Sequence, residues 1–128
     1  MDSRLLLDTD VIVDYLRGRE DAAAFLEARS ETLLVSAVTV AELFAGVREG
    51  DERTALNAFL GAFEIVAIDR DIAEQGGLYR RKFGRSHGTG LADALIAASA
   101  AGRGASLATL NGKHFPMVAD VVTPYRKG

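Results

Sequence analysis

Leu5-Leu6-Leu7-Asp8-Thr9-Asp10-Val11-Ile12-Val13-Asp14-Tyr15-Leu16-Arg17-Gly18 switches from a strand pattern to a helix pattern at one carboxylate. Three consecutive leucines form a short apolar run, as in a strand buried on both faces of a parallel sheet. From Asp10 onward Val11, Ile12, Tyr15 and Leu16 recur at helical spacing until Gly18 offers a C-cap. Asp8 falls where the strand must end. In open α/β sheets the carboxyl ends of the strands form the ligand-binding edge, so an acid placed there faces a crevice. The same residue type is a preferred helix N-cap, and either Asp8 or Asp10 can fill that role instead.

The chain beyond this stretch repeats the alternation. Glu20 to Ala28 reads as a helix, Leu33-Leu34-Val35 as a second strand, and Ser36 as a turn. Val38, Val40, Ala41, Leu43, Phe44 and Val47 keep a helical apolar face as far as Gly50, and Leu56, Phe59, Leu60 and Phe63 mark a helix from about Glu52 to Phe63. Ile65 to Ile68 is the third expected strand. Asp69 can cap a longer helix through Ile72, Leu78, Tyr79 and Phe83, in which Gly76-Gly77 costs stability and offers a place to kink. A glycine-rich loop over Gly84-Arg85-Ser86-His87-Gly88-Thr89-Gly90 then leads into an alanine-rich helix, Leu91 to Gly102, that must pack closely. Ser106 to Leu110 reads as the fourth strand and Val121-Val122 as a last one at the sheet edge. Strands alternating with helices imply an α/β fold with a mainly parallel sheet covered on both faces.

With 128 residues the chain suits one domain, residues 1–128. It has no cysteine, which excludes disulfides, a thiol nucleophile and cysteine-ligated zinc, and fits a reducing compartment. The N-terminus lacks the pattern of a signal peptide, and no apolar run approaches the roughly 20 residues that span a bilayer. A cytoplasmic location and no membrane partner are therefore expected. The net charge of −3 disfavours an all-over phosphate-binding surface, yet acids gathered around a metal lower net charge without repelling a polyanion once the metal is bound.

Four segments deliver polar residues to one sheet edge. Asp8 follows strand one, Glu42 lies one turn into the helix after strand two, and Asp93 is in the first turn of the alanine-rich helix. Asn111 directly follows strand four. Each also has a structural reading: Thr39-Val40-Ala41-Glu42 matches a capping box, Asp93 complements a helix dipole, and Asn111-Gly112 suits an ordinary turn. Taken jointly, crowded carboxylates need a compensating cation or at least one must hold its proton. Mg²⁺ or Mn²⁺ takes oxygen ligands and keeps waters, which suits metal-assisted phosphodiester hydrolysis. Arg80, Arg81, Lys82 and Arg85, with aromatics interleaved, together with Lys113, are candidates for tracking a nucleic-acid strand, although such a run is equally a solvated helix face. His87 and His114 are surface or supporting residues on this reading.

These residues resemble the PIN-domain nucleases, and more narrowly the VapC toxins of bacterial and archaeal toxin–antitoxin pairs. The resemblance runs through Leu5 to Val11, Ser36 to Val47, Leu91 to Ala98 and Leu107 to Phe115, four motifs in order. It implies a three-layer α/β/α fold and a Mg²⁺- or Mn²⁺-dependent endoribonuclease. It also implies a homodimer, silenced by a VapB-type antitoxin whose C-terminal segment wraps over the site. Carried over, Asp8, Glu42 and Asp93 would be the metal-binding core and Asn111 the fourth catalytic position, with Thr9 and Thr109 as supporting hydroxyls. The family often has aspartate where Asn111 stands, and a neutral amide there weakens the case for a second metal. A housekeeping PIN nuclease of RNA maturation and a catalytically weakened binding module are the alternatives. Asp8-Thr9-Asp10-Val11 also resembles the nucleophile motif of haloacid-dehalogenase-type phosphatases, but the later acidic pair and lysine of those enzymes are missing.

Overall fold

The computed structural model describes residues 3–127. Five strands, β1 (Arg4–Leu7), β2 (Thr32–Ser36), β3 (Glu64–Val66), β4 (Ser106–Ala108) and β5 (Val121–Val122), form one sheet. The order is β3-β2-β1-β4-β5 and every pairing is parallel. β1 therefore lies at the centre. Its register, Leu5 opposite Leu33 and Ser106, surrounds the leucine run with strand on both sides.

The absence of alternation in β1 has a direct cause. Leu5 and Leu7 point to one face of the sheet and Leu6 to the other. Each meets a separate core, and all three are buried. Leu5 and Leu7 join Val35 of β2 and Ile12, Leu43, Leu56 and Leu60, contributed by α1 (Thr9–Leu16), α3 (Ala37–Ala45) and α4 (Asp51–Leu60). Phe25 and Leu26 of α2 (Glu20–Glu27) pack against that cluster from its margin. Leu6 joins Leu34, Val66, Leu107, Ile72, Ile96 and Ala97, the last three from α5 (Arg70–His87) and α6 (Leu91–Gly102). Helices thus cover both faces of the sheet, giving the three-layer α/β/α arrangement. Burying one such leucine is worth about 2 kcal/mol, so each of these alternating contacts matters on the scale of a domain's net stability.

Several sequence expectations need correction, among them β4, which ends at Ala108 rather than Leu110, and α4, which ends at Leu60 rather than Phe63. α3 stops at Ala45 with Gly46 as its C-cap, short of Gly50, because the chain must turn before Asp51 opens α4. The third strand ends at Val66 rather than Ile68, where the edge strand runs out of partner backbone. The expected loop from Gly84 is helix: α5 continues to His87 and leaves only residues 88–90 as linker. Gly84 lies inside this helix, with the Arg80 guanidinium over the space a side chain there would occupy. Gly88, at φ 65°, is the true stop, since that left-handed conformation favours glycine.

The Gly76-Gly77 pair does not break α5. A Cβ at Gly76 would fall 2.5 Å from Leu95 Cδ2 and 3.3 Å from Leu95 Cα, whereas one at Gly77 would meet open space. Gly76 is therefore what lets α5 approach α6, and Gly77 only costs helix propensity. Gly77→Ala is expected to stabilise the protein by about 0.5–1 kcal/mol, and Gly76→Ala to destabilise it by about 1–2 kcal/mol despite the same propensity gain. Urea melts of the two variants check this, and equal effects would rule out the close-packing account.

Candidate active site

All five strands point the same way, so their carboxyl ends share one edge, and the polar residues gather there. Asp8 is the N-cap of α1 in extended conformation, and its Oδ1 accepts the Thr9 N–H at 2.8 Å. Its Oδ2 accepts the Thr109 hydroxyl at 2.7 Å. Capping and placement in the cleft are thus two properties of one side chain. Only 5% of Asp8 is exposed.

Glu42 does not form the capping box that Thr39-Val40-Ala41-Glu42 suggests. Ser36 caps α3 instead, accepting from Val38 N–H at 3.2 Å. Glu42 Oε1 accepts the Thr9 hydroxyl at 2.7 Å, and Thr9 Oγ1 lies 2.9 Å from Thr39 Oγ1. Thr9 has one hydroxyl proton and gives it to Glu42, so Thr39 donates to Thr9. A buried Thr39 thereby fixes an exposed glutamate through one intermediate. Asp93 sits in the first turn of α6 with its Oδ2 3.5 Å from His114 Nδ1. Asn111 follows β4 and donates its side-chain amide to Asp10 Oδ2 at 3.1 Å, while its backbone N–H donates to Thr109 Oγ1 at 3.0 Å.

Asp8, Thr9, Glu42, Asp93 and Asn111 line one cleft of about 380 Å³, with Asp10, Val13, Asp14, Arg17 and Lys127. Burial, then the neighbouring Asp10 charge, push the Asp8 carboxyl up to about 7, against the Thr109 and Thr9 hydrogen bonds; the Asp93 charge adds to the rise. Burial also raises Asp10, opposed by the Leu110 and Val11 amides. Asp10 Oδ1 is buried with no hydrogen-bond partner among the described residues. This is a site where negative charge is poorly compensated by the protein itself.

Sequence reasoning gave Asp10 a capping role or, on the haloacid-dehalogenase alternative, that of the acid beside an Asp8 nucleophile, and it gave Asp14, Tyr125 and Lys127 no role. Asp10 accepts the Leu110 N–H at 3.1 Å besides the Asn111 amide, tying the turn after β1 to the turn after β4. Asp14 accepts the Tyr125 hydroxyl at 2.7 Å and the Lys127 ammonium at 3.0 Å. Burial works against the Asp14 charge, but Lys127 and Tyr125 hold its carboxyl below the usual range. Burial and the same contact push the Tyr125 phenol upward. The sequence signal for these pairs was only the i, i+4 spacing of Asp10 and Asp14, which puts both on one helix face. The basic candidates are elsewhere: Arg80, Arg81, Lys82 and Arg85 are exposed along α5, Lys113 is exposed in the single 3₁₀ turn Gly112–His114, and none of the five lines the cleft. His87 is exposed too, paired with Ser86 Oγ at 2.7 Å.

The donors around the cleft are oxygens, which suit a hard divalent cation over a softer one. Among the described residues no three acids or histidines converge tightly enough to enclose an ion. Thr9 engages Glu42 and His114 faces Asp93, so each acid has its own local partner. The orphaned Asp10 Oδ1 and the desolvated Asp8 nevertheless call for positive charge, and the residues fit Mg²⁺ or Mn²⁺ as an open site with room for water.

Comparison with known proteins agrees with this geometry. The family model described as PIN domain matches residues 5–121. Ribonuclease VapC19 of Mycobacterium tuberculosis is 44% identical over 125 residues, spanning 94% of this chain and 98% of that protein. Ribonuclease VapC10 of the same organism is 38% identical over 124 residues, spanning 94% and 92%. Among solved structures, a toxin-antitoxin complex from Klebsiella pneumoniae superposes with a TM-score of 0.84 at 32% identity, covering 96% of this chain and 99% of that one. With the parallel sheet, the acidic edge and a full-length match all in agreement, the chain belongs to the PIN-domain family, in its VapC branch.

Proposed function

We propose that this chain is an endoribonuclease that hydrolyses RNA phosphodiesters with Mg²⁺ or Mn²⁺, and that it is the toxin of a toxin–antitoxin pair. The observation that carries the reading is the buried Asp8 carboxylate, fixed by Thr9 and Thr109, in one cleft with Glu42 and Asp93. Support also comes from the ribonuclease names of relatives up to 44% identical and from the toxin-antitoxin complex among the structural neighbours.

Asp8, Glu42 and Asp93 would hold the cation. When bound, it lowers the pKa of a water and neutralises charge building on the phosphodiester. The protein's own contribution is orientation. Two donors on Asp8 restrict its rotation, and the Thr39-to-Thr9-to-Glu42 chain sets the glutamate's direction. Asp93 faces the cleft and would take the proton of the attacking water; the water oxygen bonds to phosphorus as the P–O3′ bond breaks, and a solvent water protonates the departing O3′, leaving a 5′-phosphate and a 3′-hydroxyl. Asn111, with its amide donated to Asp10, keeps its carbonyl oxygen for a water or a ribose hydroxyl of the substrate.

A second groove supports the antitoxin partner. It has a volume of about 670 Å³ between α1, α3 and α4, is floored by Val13, Leu16, Leu43, Val47 and Leu56, and shares Val13, Arg17 and Glu42 with the acidic cleft. Leu16 is 46% exposed there and adds to the apolar floor of the groove. A peptide lying in this groove runs directly onto the carboxylates, which is how a partner would silence them.

Incubating the purified, partner-free chain with a mixed RNA pool tests the reading. Cuts are expected with Mg²⁺ or Mn²⁺ and none with chelator, and mapping them reports the target. Cleavage indifferent to chelator, or none from a folded chain in any divalent cation, would refute it.

A further inference from the structure

Beside the acidic cleft lies a cavity of about 590 Å³ lined by Asp10, Leu110, Asn111, Thr123, Tyr125, Arg126 and Lys127. Asp10, Asn111 and Lys127 border both cavities, so the two form one continuous trench. Their charges are opposite in sense. The first holds five carboxylates, Asp8, Asp10, Asp14, Glu42 and Asp93, against Arg17 and Lys127. The second holds Arg126 and Lys127 against Asp10 alone; Lys127 also pairs with Asp14, so Arg126 is the cation there with no carboxylate partner among the described residues.

We propose that residues 123–127, with Asn111, form a nucleotide subsite in which Arg126 and Lys127 hold the phosphate flanking the one that is cut. The proposal rests on the ribonuclease reading above. A polynucleotide threaded through the trench places one phosphate among acids, where it needs a cation, and the next where the protein supplies the positive charge. That division lets a chain of net charge −3 engage a polyanion.

The segment is held in place for this. Tyr125 donates its hydroxyl to Asp14, and the Arg19 guanidinium lies 5.3 Å from the centroid of the Tyr125 ring. Lys127 Nζ stands 3.0 Å from one Asp14 oxygen and 2.9 Å from the other. An ammonium has three donors, so one is left for a ligand, and the Lys127 side chain remains 50% exposed. Asp14 is thus a positioning residue for Lys127. Arg126 is exposed and, among the described residues, has no hydrogen-bond or ion-pair partner, which leaves its planar fork available to a phosphate.

The test is anisotropy of a labelled single-stranded oligoribonucleotide with Mg²⁺, on an Asp93→Asn background chosen to keep the strand intact. Arg126→Ala and Lys127→Gln are each expected to weaken binding about fivefold, and each to flatten the dependence of log Kd on log salt by about 0.7. Lys127→Arg keeps the charge and is expected to keep most of the binding. In the active chain the same two substitutions raise KM and leave kcat within about twofold, as removal of uniform binding does. Arg126→Ala touches no packed residue, so it reads binding even where a change at Lys127 disturbs Asp14. An unchanged affinity and salt slope in the Arg126→Ala, Lys127→Gln double variant would overturn the subsite. Loss of binding in that variant, with no cleavage by the active chain in any divalent cation, would refute the nuclease reading and leave the subsite standing as a single-strand binding site.

Discussion

Asp8→Asn is expected to lower RNA cleavage by about a thousandfold or more at saturating Mn²⁺ while making the protein more stable in chelator. The catalytic half follows from position. Asp8 is the most buried acid of the cleft, and both its oxygens are fixed by donors, so no other side chain can move into its place. Losing the group that holds the cation forfeits several kcal/mol of transition-state stabilisation, which is the thousandfold. The stability half follows from electrostatics. Burial disfavours the Asp8 charge strongly enough to push its carboxyl up to about 7, so a neutral isostere removes an unfavourable charge. The amide oxygen can keep the Thr9 N–H bond, and the Thr109 hydroxyl can turn to accept from the amide nitrogen. Lost cleavage in a variant that keeps the cap bond separates a site residue from a merely structural cap, because asparagine caps a helix as well as aspartate does and a cap alone would leave cleavage untouched. A stable variant that still cleaves at the parent rate would overturn the role of Asp8.

What the sequence made legible was whatever depends on one strand and the residue after it. The leucine run announced a strand buried on both faces, and strand polarity then put Asp8, Glu42, Asp93 and Asn111 on one edge. The structure lines a single cleft with these four. The features that escaped depend on pairs far apart in the chain. Asp14 meets Tyr125 and Lys127 across more than a hundred residues. Asp10 meets Leu110 and Asn111 over a similar span. No local period encodes such a meeting. The run from Gly84 to His87 shows the same limit: glycines announce loops, but the helix runs through Gly84 and stops only at Gly88, whose left-handed conformation ends it. Gly76 likewise looked like a defect and is a contact. There tertiary packing decided between two locally acceptable conformations.

The metal-free protein is expected to lose stability as pH rises from 5 to 8, the reverse of ordinary acid denaturation. The sign follows from Asp8. Burial pushes its folded carboxyl up to about 7 from an ordinary value of 3.8, so between those values the folded state holds a proton the unfolded state has lost. Stability then falls as pH rises through this window and levels off above it. Two pH units of that window, at about 1.36 kcal/mol each, amount to roughly 2–3 kcal/mol, or a melting temperature lower by roughly 10 °C at pH 8 than at pH 5. Asp10, raised in the same direction, adds to the slope. Asp14, held below its ordinary value, contributes stability that is lost only as pH falls through the acid range, outside this window. Saturating Mn²⁺ should remove most of the slope, since a cation that binds only the folded state adds most stability where Asp8 is ionised. Asp8→Asn should remove its own share without any metal. Differential scanning fluorimetry at pH 5, 6, 7 and 8, in chelator and in Mn²⁺, measures all three, and a chelator series that is flat or rises with pH would contradict the burial of Asp8 beside Asp10 from which the slope is argued.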